Sequence, residues 1–356
     1  LYSLFCFGLS FITISAKKQQ PHAVTSVQVK DTIETTKEIQ KQVYEGGIMK
    51  GKTKKTLLLL SMVLPGALWF FLLRYIPMAG IVLAFKEYKV YIKNPGFWNN
   101  LIHSKWVGLK NFQFIFATKD SWAYVRNTLL YNIFWIVLGL VLAVTLAIIL
   151  SEITQKRVAK VYQTFMFFPY FLSWVVASYF VLAFLDPTRG LLTHWQAAGG
   201  GEVINWYHEP KYWPVILTIC NIWKTTGYSC VLYLAAITGI DGTQYEAAAI
   251  DGASKWQQIR YVTLPHLRTM IAILFIMNVG NIVKADFGLF YSVPMNSGSL
   301  FSTTGVIDTY VYRTMTATNN IGMSTAAGLM QQLVGFVCIM AANKIVTKID
   351  EDSALF

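Results

Sequence analysis

A small set of polar side chains stands inside otherwise apolar stretches of this chain: Asn221, Trp223 and Lys224 in one, Asn278, Asn281, Lys284 and Asp286 in another. Burying such groups in lipid costs a few kcal/mol each, so they are the residues best able to mark a path for a polar solute. Asn278, Asn281 and Lys284 follow at intervals of three, which predicts a shared helix face. Amides donate and accept hydrogen bonds and an indole stacks on flat apolar faces, so this is binding chemistry rather than bond-breaking chemistry. The same residues serve equally as glue between packed helices. Catalysis has no comparable constellation. His22, His103, His194, His208 and His266 are expected in the N-terminal stretch or in loops, with no nucleophile arranged beside them. No Gly-x-x-x-x-Gly-Lys-Ser/Thr phosphate loop occurs, so ATP hydrolysis by that route is excluded. Cys220, Cys230 and Cys338 lie in apolar runs and Cys6 near the start, without Cys/His metal spacing, so neither a metal site nor a disulfide is expected.

The elements that must position these residues follow from the pattern around them. Between the two apolar stretches lies a long polar interruption, Glu246 to Pro265. Thr243 and Glu246 have capping-box spacing, which predicts a helix opened by Thr243; Gly252 supplies the positive φ that ends it. Ser254 and Gln257 repeat the spacing and open a second short helix, which Leu264-Pro265 is expected to close. Ala247, Ala248 and Ala249 favour helix and keep its sides slim.

Apolar residues make up 54% of the chain and the net charge is +12, which together describe an integral membrane protein. The basic excess flanks the apolar runs, as the positive-inside rule requires, and needs no nucleic acid. Spans are expected at Thr56–Leu73, Asn127–Leu150, Val161–Leu185, from Lys211 or Tyr212 to Ile240, Leu267–Phe290 and Ile321–Val346. Lys50, Lys52, Lys54 and Lys55 before the first span, Lys156, Arg157 and Lys160 after the second, and Lys344 and Lys348 in the last predict six spans with both termini in the cytoplasm. Asp186–Pro210 and Ser292–Asn320 then face outward, and the Glu246 loop faces the cytoplasm. Residues 1–48 read differently. Leu1–Ser15 is apolar but shorter than the ~20 residues of a spanning helix, and Ala16–Gln42 is polar without periodicity. Glu45-Gly46-Gly47 can be encoded by a ribosome-binding sequence, so Met49 is the expected start and residues 1–48 a non-native leader or disordered extension.

The run Glu246-Ala247-Ala248-Ala249-Ile250-Asp251-Gly252, with Leu264-Pro265 in register, resembles the EAA signature of the membrane subunits of binding-protein-dependent ABC importers. Val262 stands where isoleucine is more usual, and Gly242 replaces a proline that often follows the aspartate at 241. Tyr75-Ile76-Pro77-Met78, Trp106-Val107-Gly108-Leu109-Lys110-Asn111-Phe112, Asn127-Thr128-Leu129, Pro169-Tyr170-Phe171-Leu172-Ser173-Trp174 and Asp308-Thr309-Tyr310-Val311-Tyr312-Arg313 are similar to the LplB-like branch of carbohydrate-uptake permeases. The resemblance covers residues 49–356. It implies an all-α, six-span type I importer permease in the bacterial cytoplasmic membrane, with the EAA loop at 241–266. Glu246, Ala247, Ala248, Asp251, Gly252, Leu264 and Pro265 would couple to separate ATPase subunits, which use the ATP; this chain would bind no cofactor and catalyse no reaction. A second permease, forming a heterodimer, and an extracytoplasmic solute-binding lipoprotein are the other implied partners. The solute would be a sugar, an oligosaccharide in most such systems, with Asn221, Trp223, Lys224, Asn278, Asn281 and Lys284 on its path. Lys224 and Lys284 motivate an anionic alternative, a uronate oligosaccharide or a glycerophosphodiester. A membrane interaction protein without transport is the reading outside that class.

Overall fold

In the computed structural model, residues 48–89, 96–113 and 119–349 are described. The expectation for residues 1–48 as a leader falls almost wholly outside them. The described residues fall into two compact units, one ending at Val82 and the other beginning at Leu83. The first contains α1 (Ile48–Phe70), extended through a π turn at Phe71–Tyr75.

The second unit begins with a short antiparallel pair, β1 (Lys86–Glu87) against β2 (Lys105–Trp106), flanking α2 (Phe97–His103). Gly108, at φ +59°, turns the chain into a 3-10 segment, Gly108–Phe112. From there the Asn111 Nδ2 donates to the Ala84 and Lys86 carbonyls at 2.9 Å each. Gly322 lies against this strap, where a Cβ would stand 2.7 Å from Asn111 Nδ2 and from the Lys86 carbonyl oxygen.

The body is a bundle of α3 (Lys119–Ser151), α4 (Lys156–Phe167), α5 (Trp174–Leu185), α6 (Leu191–Ala198), α7 (Trp213–Thr238), α8 (Gly242–Ile250), α9 (Lys255–Gln258), α10 (Leu264–Gly280), α11 (Phe287–Ser292), α12 (Phe301–Thr304), α13 (Ile307–Thr318) and α14 (Ile321–Ile349). Among the described residues, five helices are long and apolar enough to cross a membrane, and six if one bent pair counts as a span. Small residues let α3 and α7 approach closely: Ala143 and Ala147 are fully buried beside Cys230, Tyr233 and Ile237. Gly227 marks a tighter crossing still, since a Cβ there would lie 1.8 Å from the Met166 carbonyl oxygen. A second core, around Leu185, Trp213, Leu217, Leu289 and Phe290, fills the other end of the bundle.

Spans two, four and six form as the hydropathy predicts. Spans three and five do not run continuously. Val161–Leu185 is a pair of helices bent by 100°, because Pro169 sits in a 3-10 segment (Phe168–Phe171) and Ser173 opens a new helix, its Oγ accepting from the Val176 N–H at 3.2 Å. Leu267–Phe290 stops at Gly280, and the chain restarts only at Phe287, capped by the Asp286 carboxylate. Asn281 and Lys284 therefore do not share a helix face with Asn278.

Proline behaves in the opposite sense at 265. The expected stop does not occur, and Lys255–Gly280 is one span of 26 residues. A π turn at Ile259–Thr263 absorbs the missing donor: the Leu264 N–H reaches back to the Ile259 carbonyl, shifting the register just before Pro265. His103, His194 and His266, expected in loops, lie on helices.

Candidate functional site

The two interrupted spans meet. The indole Nε1 of Trp174, the first residue of α5, donates to Asp286 Oδ2 at 2.5 Å, while Asp286 Oδ1 accepts from the Gly288 and Leu289 N–H groups and caps α11. Gly288 has no side chain because Trp174 occupies that space; a Cβ would meet its Cδ1 at 2.4 Å. Lys224 closes the arrangement from α7. Its ammonium donates to the carbonyls of Pro169 (3.4 Å), Tyr170 (3.0 Å) and Leu172 at the bend in span three, where the Pro169 carbonyl also accepts from the Leu172 N–H at 3.1 Å. It also lies 5.2 Å from the centre of the Trp174 ring. Lys224, a solute-path candidate as a polar residue within a span, here donates to backbone.

The gap after Gly280 is held from three other helices. Asn132 Nδ2 on α3 donates to the carbonyls of Ile282 and Lys284 at 2.7 Å each. Asp308 Oδ2 accepts from the Ala285 N–H at 2.8 Å, and Gln331 Nε2 donates to the Val283 carbonyl at 2.8 Å and to Asp308 at 3.2 Å. Irregular backbone at membrane depth survives only where protein groups satisfy it, and these do so. Asn132, Asp308, Gln331 and Trp174 escaped the sequence reading of the site. Asn132 and Gln331 are polar residues within expected spans, which is the signal that could have singled them out.

Along α7, the core at one end reaches Cys220 and the core at the other begins at Cys230. Asn221, Trp223 and Lys224 lie in the interval, level with both interruptions. Trp223, Asn278 and Asn281 are exposed and Asn221 is half-buried. Asn281 Nδ2 donates to the Met277 carbonyl at 3.1 Å, whereas the Asn221 and Asn278 amides have no hydrogen-bond partner among the described residues. Lys284 sits half-buried within the gap itself. Stacked rings border the bend: Tyr170 and Tyr228 lie 4.5 Å apart at 11°.

The Glu246 loop folds as a helix–turn–helix at the other end of α7. Asp241, not Thr243, caps α8, its Oδ1 accepting from the Thr243 N–H at 3.0 Å; this bond holds the carboxyl below the usual range. Gly252, at φ +78°, ends α8 with Ala253 N–H bonding back to the Ala248 carbonyl at 2.9 Å. Ser254 and Gln257 form the expected capping box. The Tyr245 hydroxyl and Thr263 Oγ1, 2.9 Å apart, pin α8 to the π turn, and Lys255 reaches Glu152 after α3 at 3.1 Å. So fixed, the loop leaves Glu246, Ala247, Asp251, Leu264 and Pro265 exposed and Ala248 half-buried. Ile250 is 87% exposed and Trp256 68%, an apolar surface on an otherwise polar loop.

A sharply bent span that meets the break after Gly280, beside a polar loop at the other end of α7, is architecture that membrane transporters use. Residues 136–348 match the family of binding-protein-dependent transport system inner membrane components, and the chain belongs to it. It is therefore a multi-pass protein of the cytoplasmic membrane and a sugar ABC importer permease. It is 31% identical over 291 residues to Protein LplB of Bacillus subtilis, covering 82% of this chain and 89% of that one. It is 31% identical over 325 residues to the polygalacturonan/rhamnogalacturonan transport system permease protein YteP of the same organism, covering 89% and 98%. The fold matches, at TM-score 0.74 and 29% identity, a chain of a bacterial ABC transporter involved in the import of the acidic polysaccharide alginate, covering 85% of this chain and all of the other.

Proposed function

We propose that this permease is one half of a heterodimeric, six-span pathway that imports an oligosaccharide handed over by an extracytoplasmic binding lipoprotein. The observation that carries the reading is the meeting of two interrupted spans at Trp174 and Asp286, level with the unpartnered amides of Asn221 and Asn278. Breaks in membrane helices are where many transporters bind solutes. Asn221, Asn278 and Asn281 bond sugar hydroxyls and Trp223 stacks on a sugar face, while Lys224 and Lys284 belong to the broken backbone that frames the path. An anionic solute is the second reading, favoured by the alginate and polygalacturonan named for the relatives.

The exposed Glu246 loop is the docking element for separate ATPase subunits. Glu246 makes a charged contact, Ala247 and Ala248 pack in the ATPase cleft, Asp251 and Gly252 shape the turn, and Leu264 and Pro265 carry the motion into span five. Both termini and this loop are cytoplasmic, and the ATPases hydrolyse the ATP. Affinity purification of the tagged chain from its native membrane, beside Glu246→Lys, tests this. Recovery of an ATPase, a second permease and a binding lipoprotein, with the ATPase lost in Glu246→Lys, is expected. Recovery without an ATPase from either chain removes the coupling role.

A further inference from the structure

At the end of the spans opposite the Glu246 loop, a groove of about 760 Å³ runs between α3 and α7. Arg126, Leu130 and Phe134 stand four residues apart along one wall, and Val215 and Ile219 along the other. All five are exposed on this chain and face away from the interior of its own bundle.

The polar groups of the groove floor are already engaged. Thr218 Oγ1 donates to the Pro214 carbonyl at 2.7 Å and accepts from Trp135 Nε1 at 3.0 Å. The Tyr131 hydroxyl donates to the Thr303 carbonyl at 3.0 Å, and Thr303 Oγ1 to the Pro210 carbonyl at 3.1 Å. A hydroxyl-rich solute would find no partners along this surface, which separates the groove from the solute path. Two donors remain, both at one end. Arg126 Nη2 leans on Asn127 Oδ1 at 3.3 Å with the rest of the guanidinium exposed, and Asn127 Nδ2 in turn donates to the Ser302 carbonyl at 3.0 Å, which brings the exposed Ser302 hydroxyl alongside.

We propose that this groove is a binding site for an anionic phospholipid. Its phosphate sits on Arg126 and Ser302, and an acyl chain follows Leu130–Phe134 and Val215–Ile219. Arg126 to Phe134 spans two helical turns, about 12 Å, so the chain leaves the headgroup zone along an apolar wall. Charge and shape both favour a lipid over a protein helix. The lining includes no glycine or alanine for close helix approach, and a guanidinium buried without an anion in such a contact would be costly. The site rests on these spans crossing a membrane and on nothing about the solute.

Native mass spectrometry of the purified full chain, equilibrated with equimolar dioleoyl phosphatidylglycerol and dioleoyl phosphatidylcholine, tests it. Phosphatidylglycerol retention about fivefold above phosphatidylcholine is expected, as one cation at a membrane surface confers. Arg126→Gln brings the two to parity, and Ile219→Trp, which fills the groove, lowers retention of both. Equal retention of both lipids by the native chain, or an unchanged preference in Arg126→Gln, overturns the proposal. So does crosslinking of Val215→Cys in native membranes to a protein partner rather than to lipid. None of these readouts depends on transport, so their failure leaves the importer reading standing.

Discussion

Trp174 and Asp286 each begin a helix, and the 2.5 Å bond between them joins the restart of one interrupted span to the restart of another. Trp174→Phe removes the donor and leaves a carboxylate facing an apolar ring, at an expected cost of about 1.5 kcal/mol. Asp286→Ala loses this bond and the α11 cap, so it costs more. A double-mutant cycle read by thermal unfolding in detergent should show coupling of about 1 kcal/mol or more. Additive effects would mean that the two breaks are held separately.

Lys224 tests whether a cation in a span serves solute or backbone. Lys224→Met strips the donor from the carbonyls of Tyr170 and Leu172, and each orphaned acceptor costs about 1 kcal/mol or more, while the Pro169 carbonyl keeps its bond from the Leu172 N–H. The expected result is a lowered unfolding temperature with no change in the ratio of anionic to neutral sugar uptake. A changed ratio at native stability would return Lys224 to the solute.

Two glycines should respond to the same substitution with opposite signs. Gly227→Ala drives a methyl into the Met166 carbonyl, and the α4–α7 crossing must open, at about 3 kcal/mol or more. Gly139→Ala on α3 meets nothing within 4 Å and gains helix propensity of up to about 1 kcal/mol. Thermal midpoints of the two variants, measured side by side, check the contrast.

Gly252 sits at φ +78° with open space where a Cβ would go, so its replacement strains backbone without a clash. Gly252→Val should distort the turn at about 1–2 kcal/mol, leave the amount of protein in the membrane unchanged, and abolish uptake. Normal uptake by this variant would count against a coupling role for the loop.

The Asp241 cap gives the loop a pH dependence of defined sign. The Thr243 N–H holds the carboxyl below its usual range, so the cap contributes fully above the unfolded pKa of about 3.9 and is lost as pH falls through the lower folded value. Amide exchange in Gly242–Ile250 should be flat from neutral pH to about 5 and then accelerate, relative to the intrinsic rate, on further acidification. In Asp241→Asn that acid step should disappear.

Continuous spans were legible because an unbroken apolar run with basic ends suffices to specify a membrane helix, as in Asn127–Leu150 and Ile321–Val346. The interruptions were not, because apolar residues continue on both sides of Pro169 and of residues 281–286 while the groups that stabilise the breaks arrive from elsewhere. Lys224 lies more than fifty residues from Pro169, and Asn132 about 150 from Ile282. A proline alone did not discriminate: Pro169 accompanies a 100° bend, whereas Pro265 is carried by a π turn. In the Glu246 loop the turn chemistry is local, and so Gly252 and the Ser254–Gln257 box were read correctly. Besides the stop at Pro265, the first cap differs, at Asp241 rather than Thr243, because a carboxylate one residue before the helix outcompetes the hydroxyl within it.

The register shift before Pro265 makes Lys255–Gly280 a single rod of about 39 Å. Without it, the proline would have placed a joint between loop and membrane, and any displacement of the loop would dissipate there. An unjointed rod acts as a lever instead. A tilt of about 5° at Lys255 sweeps Gly280 through about 3 Å, delivered directly to the gap that Asn132, Asp308 and Gln331 hold together.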